Sequence, residues 1–116
     1  MQFRNLRIAK RIQEECNQTL GKEFDFHGAL VTVTTVRVNR ALDHAVIYLS
    51  VLPPDREPYV LSVLTEQQRH IRKKMMERIR IKKFPSIAFT ADSGAANAAR
   101  VEKILLEEEN TKGTAR

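Results

Sequence analysis

The chain reads as a single α+β domain in the order helix, strand, strand, helix, helix, strand, helix. Three observations carry this. Apolar residues recur at helical spacing near both ends and through residues 58 to 83. Three β-branched runs, ALVTVTTVRV, AVIYLSV and SIAFTA, stand between them. The length of 116 residues, 42% hydrophobic, suits one core that buries roughly two thirds of the unfolded chain's surface and leaves no room for a second domain.

The first helix is predicted from about Phe3 to Leu20. Ile8, Ile12, Cys16 and Leu20 recur every fourth residue, Ala9 and Thr19 share their side, and Gly21 follows where a helix would end. The strand at 29–38 has Val31 and Val33 on one parity and Val36 and Val38 on the other. A bulge or change of buried face is therefore expected near Thr34 and Thr35. In the strand at 45–51, Ala45, Ile47, Leu49 and Val51 alternate with smaller or more polar partners. The short NRALDH between the two runs predicts an antiparallel hairpin.

After the PPDREP turn a long helical pattern starts near Pro58, a residue suited to a first turn. Its inward stripe is Leu61, Leu64, Gln68, Ile71, Met75 and Ile79, within about 80° of the helix circumference. Unbroken to Lys83, this helix would be roughly 39 Å long, too long for a domain of this size. A kink or a break into two helices is expected. Phe84-Pro85 ends the helix, with Phe84 assigned to the core. A third strand follows at 86–91 with Ile87 and Phe89 on one face. Asp92 or Ser93 then caps a last helix, ANAARVEKILL, whose apolar side is Ala98, Val101, Ile104 and Leu105. The domain spans 1–106, and 107–116 reads as a disordered charged tail.

Charge is the most informative property. The chain carries +6, yet Arg69 to Lys83 alone holds eight bases against Glu77, a local +7, and the remainder nearly cancels. A field concentrated in this way gathers polyanions at one surface, which is the electrostatic footprint of nucleic-acid binding. Arg69, Lys73 and Arg80 fall away from the apolar stripe, and Glu77 can pair with Lys73 one turn earlier. Arg4, Arg7 and Arg11 share one side of the first helix as a second patch. Lys10 and Arg11 can pair with Glu14 and Glu15 there, so this patch is partly neutralised.

Covalent chemistry has little support. Cys16 lies on the apolar stripe as a small filler, and one cysteine makes neither an internal disulfide nor a cysteine-based zinc site. His27, His44 and His70 lack metal-ligand spacing and read as surface residues. Asp43-His44 could begin a catalytic dyad, but neighbours in a hairpin turn normally point apart and no nucleophile accompanies them. With Gly21, Gly28, Gly94 and Gly113 as its glycines, the chain has no phosphate loop or dinucleotide fingerprint. No cofactor, metal or catalytic residue is expected. No apolar run approaches the roughly 20 residues of a membrane span, and nothing at the N-terminus resembles a signal peptide. A reduced, cytoplasmic protein follows, with the Arg-rich N-terminus leaving an organelle as the other reading.

These features together resemble the ribosome-binding factor A family. Its opening Arg-aliphatic pair looks like Arg7-Ile8, and its valine-rich hairpin looks like VTVTTVRVNRALDHAVIYLSV. Its I-R, basic helix, P-x-L-x-F and acidic-serine series resembles Ile71-Arg72, the run to Lys83, Pro85 to Phe89, and Asp92-Ser93. The chain departs from the pattern twice. Gln67-Gln68-Arg69 stands where the family has Ala-x-Gly at an inter-helix kink, so the sharpness of the kink is left open. Ala41 stands where an acid often precedes the leucine matched by Leu42.

The resemblance implies a KH-like domain, with a three-stranded sheet packed on one side by helices and without the G-x-x-G loop that clamps single-stranded nucleotides. It implies a monomeric assembly factor for the small ribosomal subunit, bound to its maturing ribosomal RNA at a late processing or folding step, without catalysis. A ribosome-associated GTPase is a further partner, and a module that recruits it without RNA contact is the alternative. The expected phosphate contacts are Arg69, Arg72, Lys73, Lys74, Arg78, Arg80, Lys82 and Lys83, with Arg4, Arg7 and Arg11 from the first helix. The few aromatics are not interleaved with the basic run, which argues against a base-stacking platform.

Overall fold

The computed structural model describes residues 4–92. Helix α1 covers Arg4–Glu23, and strands β1 and β2 cover Leu30–Val38 and His44–Leu52. A short 3-10 turn at Pro54–Arg56 leads into α2, Glu57–Glu66, then α3, Gln68–Arg78, and finally β3, Ser86–Ala91. The sheet has the order β1-β2-β3, antiparallel between the first pair and parallel between the second. The expected last helix and the 107–116 tail lie outside the described residues.

Helix α1 contributes Ala9, Ile12, Cys16 and Leu20 to the core, a narrower stripe than expected because Ile8 is half-buried at its margin. The helix does not end at Gly21. It continues to Glu23, and Gly21 sits on an exposed turn with nothing within 4 Å of where a side chain would start. No backbone demand holds a glycine there.

Polar residues of α1 fasten the outer edge of β1. Asn17 exchanges two hydrogen bonds with Val33, accepting from its N–H at 2.8 Å and donating to its carbonyl at 3.2 Å. Gln13 donates to the Thr34 carbonyl, and Asn5 to that of Val38. An edge strand thereby has much of its backbone satisfied within the chain. The register confirms the bulge: Val33 pairs with Leu49 and Thr35 with Tyr48, leaving Thr34 as the extra residue. That residue switches the parity, so that Val33, Val36 and Val38 are all buried in the same core. In β2, Val46 and Tyr48 are buried in addition to the alternating set, so this central strand is covered more fully than its alternation implied.

The β1-β2 connection is held by Asn39, a buried polar side chain. Its amide oxygen accepts from the N–H groups of Asp43 and His44, and its amide nitrogen donates to Asp43 Oδ1 at 2.7 Å. Asp43 therefore supplies a turn-fixing carboxylate although position 41 is alanine. Leu42 takes a positive φ of 62° inside this frame.

The long helical pattern divides at Gln67, with α3 ending at Arg78 and not at Lys83. Gln67 has φ −94° and ψ 10°, in the bridge region open to any L-residue, so the break requires no glycine. Gln68, the polar member of the predicted stripe, donates from Nε2 to the Ile87 carbonyl at 2.7 Å and pins the break to β3. Val60, Leu64, Ile71, Met75 and Ile79 are buried. Val60 rather than Leu61 points fully inward, since the break resets the helical phase used in extrapolating back from α3. Ile79 is extended (φ −105°, ψ 107°), and it begins a connector that carries Arg80, Lys82 and Lys83 to the buried Phe84.

Candidate nucleic-acid interface

The eight bases of the 69–83 segment separate into three environments. Arg72 turns inward. Its Nε donates to the Pro85 carbonyl at 3.0 Å and its Nη2 to that of Phe84 at 2.6 Å, with the guanidinium 5.6 Å from the centre of the Phe84 ring. This side chain clamps α3 to the start of β3, so its cation serves the fold, and it leaves the set of candidate phosphate contacts.

Lys74 and Arg78 face α1. Lys74 Nζ is 3.9 Å from Glu23 Oε2, and His70 Nε2 is 3.1 Å from Oε1 of the same carboxylate. Glu15 lies between two arginines, with Arg78 Nε and Arg11 Nη2 each 3.8 Å from one of its oxygens. Arg11 also donates to the Arg78 carbonyl at the end of α3. The predicted pairing of Arg11 with Glu15 is present, but Glu15 reaches across to α3 as well. Such partly exposed pairs contribute little to stability. Their effect is to orient the guanidinium groups.

Arg69, Lys73, Arg80, Lys82 and Lys83 are exposed, and among the described residues none has an acidic partner. Arg69 and Lys73 lie one turn apart on α3, whereas Arg80, Lys82 and Lys83 belong to the connector. Lys73 forms no ion pair with Glu77 among the described residues. The expectation that the helical pattern runs on to Lys83 is corrected: the helix stops at Arg78, and the connector frees the last three bases from helical phase.

The two basic patches foreseen separately meet in one groove. Arg7, Ile8 and Arg11 of α1 and Arg78, Ile79, Arg80 and Ile81 of the α3 end and connector line an open depression of about 380 Å³. Its floor is isoleucine and its rim is arginine. Arg4 is exposed on α1 and does not line it. Sequence reasoning missed Glu15 as the bridge and Ile81 as part of the floor. The alternation of isoleucine and arginine in Arg78-Ile79-Arg80-Ile81 was the available signal, since it is a strand-like rather than helical pattern.

The histidines differ from a uniform surface set. His27 is exposed, with its backbone N–H bonded to Asp25 and its ring 5.9 Å from that of Tyr59. His44 is half-buried, with Nδ1 2.8 Å from Ser86 Oγ and Nε2 3.8 Å from Asp43 Oδ1, so Asp43 and His44 do approach one another. This resembles a Ser-His-Asp series in composition alone. Ser86 Oγ donates to the Asp43 carbonyl, Asp43 Oδ1 receives the Asn39 amide, and 3.8 Å is beyond hydrogen-bond reach. The three residues fasten the hairpin turn to β3.

A family model described as ribosome-binding factor A matches residues 4–105. The chain belongs to the ribosome-binding factor A family. It is 31% identical over 110 residues to ribosome-binding factor A of Chlorobium phaeobacteroides, covering 92% of this chain and 95% of the relative. A crystal structure of the factor from Thermus thermophilus superposes with a TM-score of 0.69 at 17% identity, over 78% of this chain and 98% of that one. A homology model of the Thermus thermophilus factor, fitted into a cryo-electron microscopy map of a 30S complex with it, gives 0.64 at 19% identity, over 74% and 94%. These likenesses establish the shared α+β fold. Among the described residues of this family member, no helix is long and apolar enough to cross a membrane, and no cluster of three or more His, Cys, Asp or Glu side chains could hold a metal ion.

Proposed function

We propose that this ribosome-binding factor is an assembly factor of the small ribosomal subunit, a KH-like module of residues 1–106 that docks on the maturing ribosomal RNA. It assists a late folding or processing step and then leaves, as a cytoplasmic monomer acting by stoichiometric binding. The observation that carries this reading is the set of five exposed cations without acidic partners among the described residues, Arg69, Lys73, Arg80, Lys82 and Lys83, which Arg80 joins to Arg7 at the groove. The small-subunit complex of the Thermus relative supports the same destination.

The mechanism is electrostatic. Long cations on a rigid helix and a short extended connector meet phosphates of a folded RNA and release their counterions. Without a G-x-x-G loop the backbone does not clamp a run of nucleotides, so recognition is by shape and charge. Arg72 is excluded from this role, and Lys74, Arg78 and Arg11 act as oriented supports.

Co-sedimentation with purified immature and mature small subunits tests the proposal. Tighter binding to immature particles is expected, and equal affinity for both would count against an assembly role. A protein-recruiting module for a ribosome-associated GTPase predicts a different result: reversing Lys73 and Lys83 to glutamate would then spare binding to bare subunits.

A further inference from the structure

We propose that the groove between α1 and the end of α3 receives one unpaired nucleotide of the RNA, its base held between the isoleucine floor and the flat guanidinium groups of Arg7 and Arg80, which also take its flanking phosphates. This rests on the reading that the surface binds RNA, and it goes beyond that reading by assigning a pocket and a ligand. A surface that held only duplex phosphates would need cations and no apolar depression. Here Ile79 is buried and Ile8 and Ile81 are half-buried at the centre of the basic region, under a volume of about 380 Å³. That volume lies at the lower end of small-ligand sites, and it suits a single extruded nucleotide rather than a helix.

The cations of the groove are all arginine, whereas the lysines of the same segment, Lys73, Lys74, Lys82 and Lys83, do not line it. A guanidinium is planar and weakly hydrated. It lies flat on a base and also binds phosphate through two N–H groups, neither of which an ammonium does as well. Glu15 lies 3.8 Å from both Arg11 and Arg78, so two of the four groove arginines already have a carboxylate beside them. Arg7 and Arg80 have no hydrogen-bond or ion-pair partner among the described residues and remain available to an anion. An acidic, apolar peptide is the rival occupant, and flat stacking of the guanidinium groups would matter less to it.

The test uses the full chain and two RNA hairpins of equal length, one fully paired and one with a single bulged 2-aminopurine, compared at fixed salt by fluorescence. The bulged hairpin is expected to bind roughly tenfold more tightly, the gain available when one planar group leaves water to lie between an apolar floor and a guanidinium. Its fluorescence should change on binding. The double variant Arg7→Lys, Arg80→Lys keeps the charge but removes the flat, two-pronged guanidinium groups, and should lose the preference for the bulged hairpin. The double variant Lys73→Glu, Lys83→Glu should weaken both hairpins and retain the preference. Equal affinity of the parent chain for the two hairpins would overturn the nucleotide pocket and leave charge-based docking standing. A preference that survives the arginine-to-lysine change would also overturn it. Binding to neither hairpin, with acidic peptides bound instead, would overturn the pocket and the RNA reading together.

Discussion

Arg72 illustrates how one residue type serves two purposes within a single turn of helix. Its fork closes on two backbone carbonyls and an aromatic ring, while Arg69 one turn earlier is open to solvent. Arg72→Ala is therefore expected to lower folding stability by about 2 kcal/mol, the loss of charge-assisted hydrogen bonds and a cation-π contact. Arg69→Ala should stay within about 0.5 kcal/mol. Urea unfolding of both variants would check this. The helical pattern set Arg69 away from the apolar stripe but gave no sign of what Arg72 meets, because that depends on Phe84 and Pro85, twelve and thirteen positions away, turning their carbonyls back toward α3. Cys16 was legible from its place on the apolar stripe. Burial pushes its thiol up to about 12 from an ordinary 9.0. The unfolded chain loses this proton near pH 9 while the folded chain keeps it. The contribution is complete below about pH 9 and is lost as pH rises toward 12. The urea midpoint should consequently fall more between pH 8 and 10.5 for the parent than for Cys16→Ala. Parallel pH profiles would contradict the burial.

At the scale of the element, the clearest cases are the two helices whose limits differ from those the sequence suggested. Gly21 looked like a terminus, yet α1 runs past it to Glu23, and the glycine occupies an exposed helical turn with open space around it. Gly21→Ala should stabilise the protein by about 1 kcal/mol through helix propensity, raising the thermal midpoint by several degrees. A fall in the midpoint would mean that the turn needs a glycine after all. The division at Gln67 was foreseen on length, but its chemistry was not. Loss of a glycine matters at a break only if φ is positive, and here φ is −94°. The bulge at Thr34 was readable because two valine pairs of opposite parity have to reach the same core. The tie between Asn17 and Val33 was not readable, since a polar residue on a helix face gives no sign of which strand edge it meets.

For the molecule as a whole, the concentration of charge in one segment was visible in the sequence, and its distribution in space was not. The fold engages the Arg72 guanidinium with two backbone carbonyls, pairs Lys74 and Arg78 with α1, and joins Arg7 and Arg11 to Arg80 across a groove. What remains of the segment is a set of five cations without acidic partners among the described residues, fewer than its eight, and this number sets the expected salt response. The most direct test of phosphate docking is the affinity of the purified chain for immature small subunits measured across 50 to 300 mM monovalent salt. Neutralisation of roughly five phosphates predicts a log-log slope of about −3.5 to −4.5. A slope near −1 with tight binding intact would contradict it.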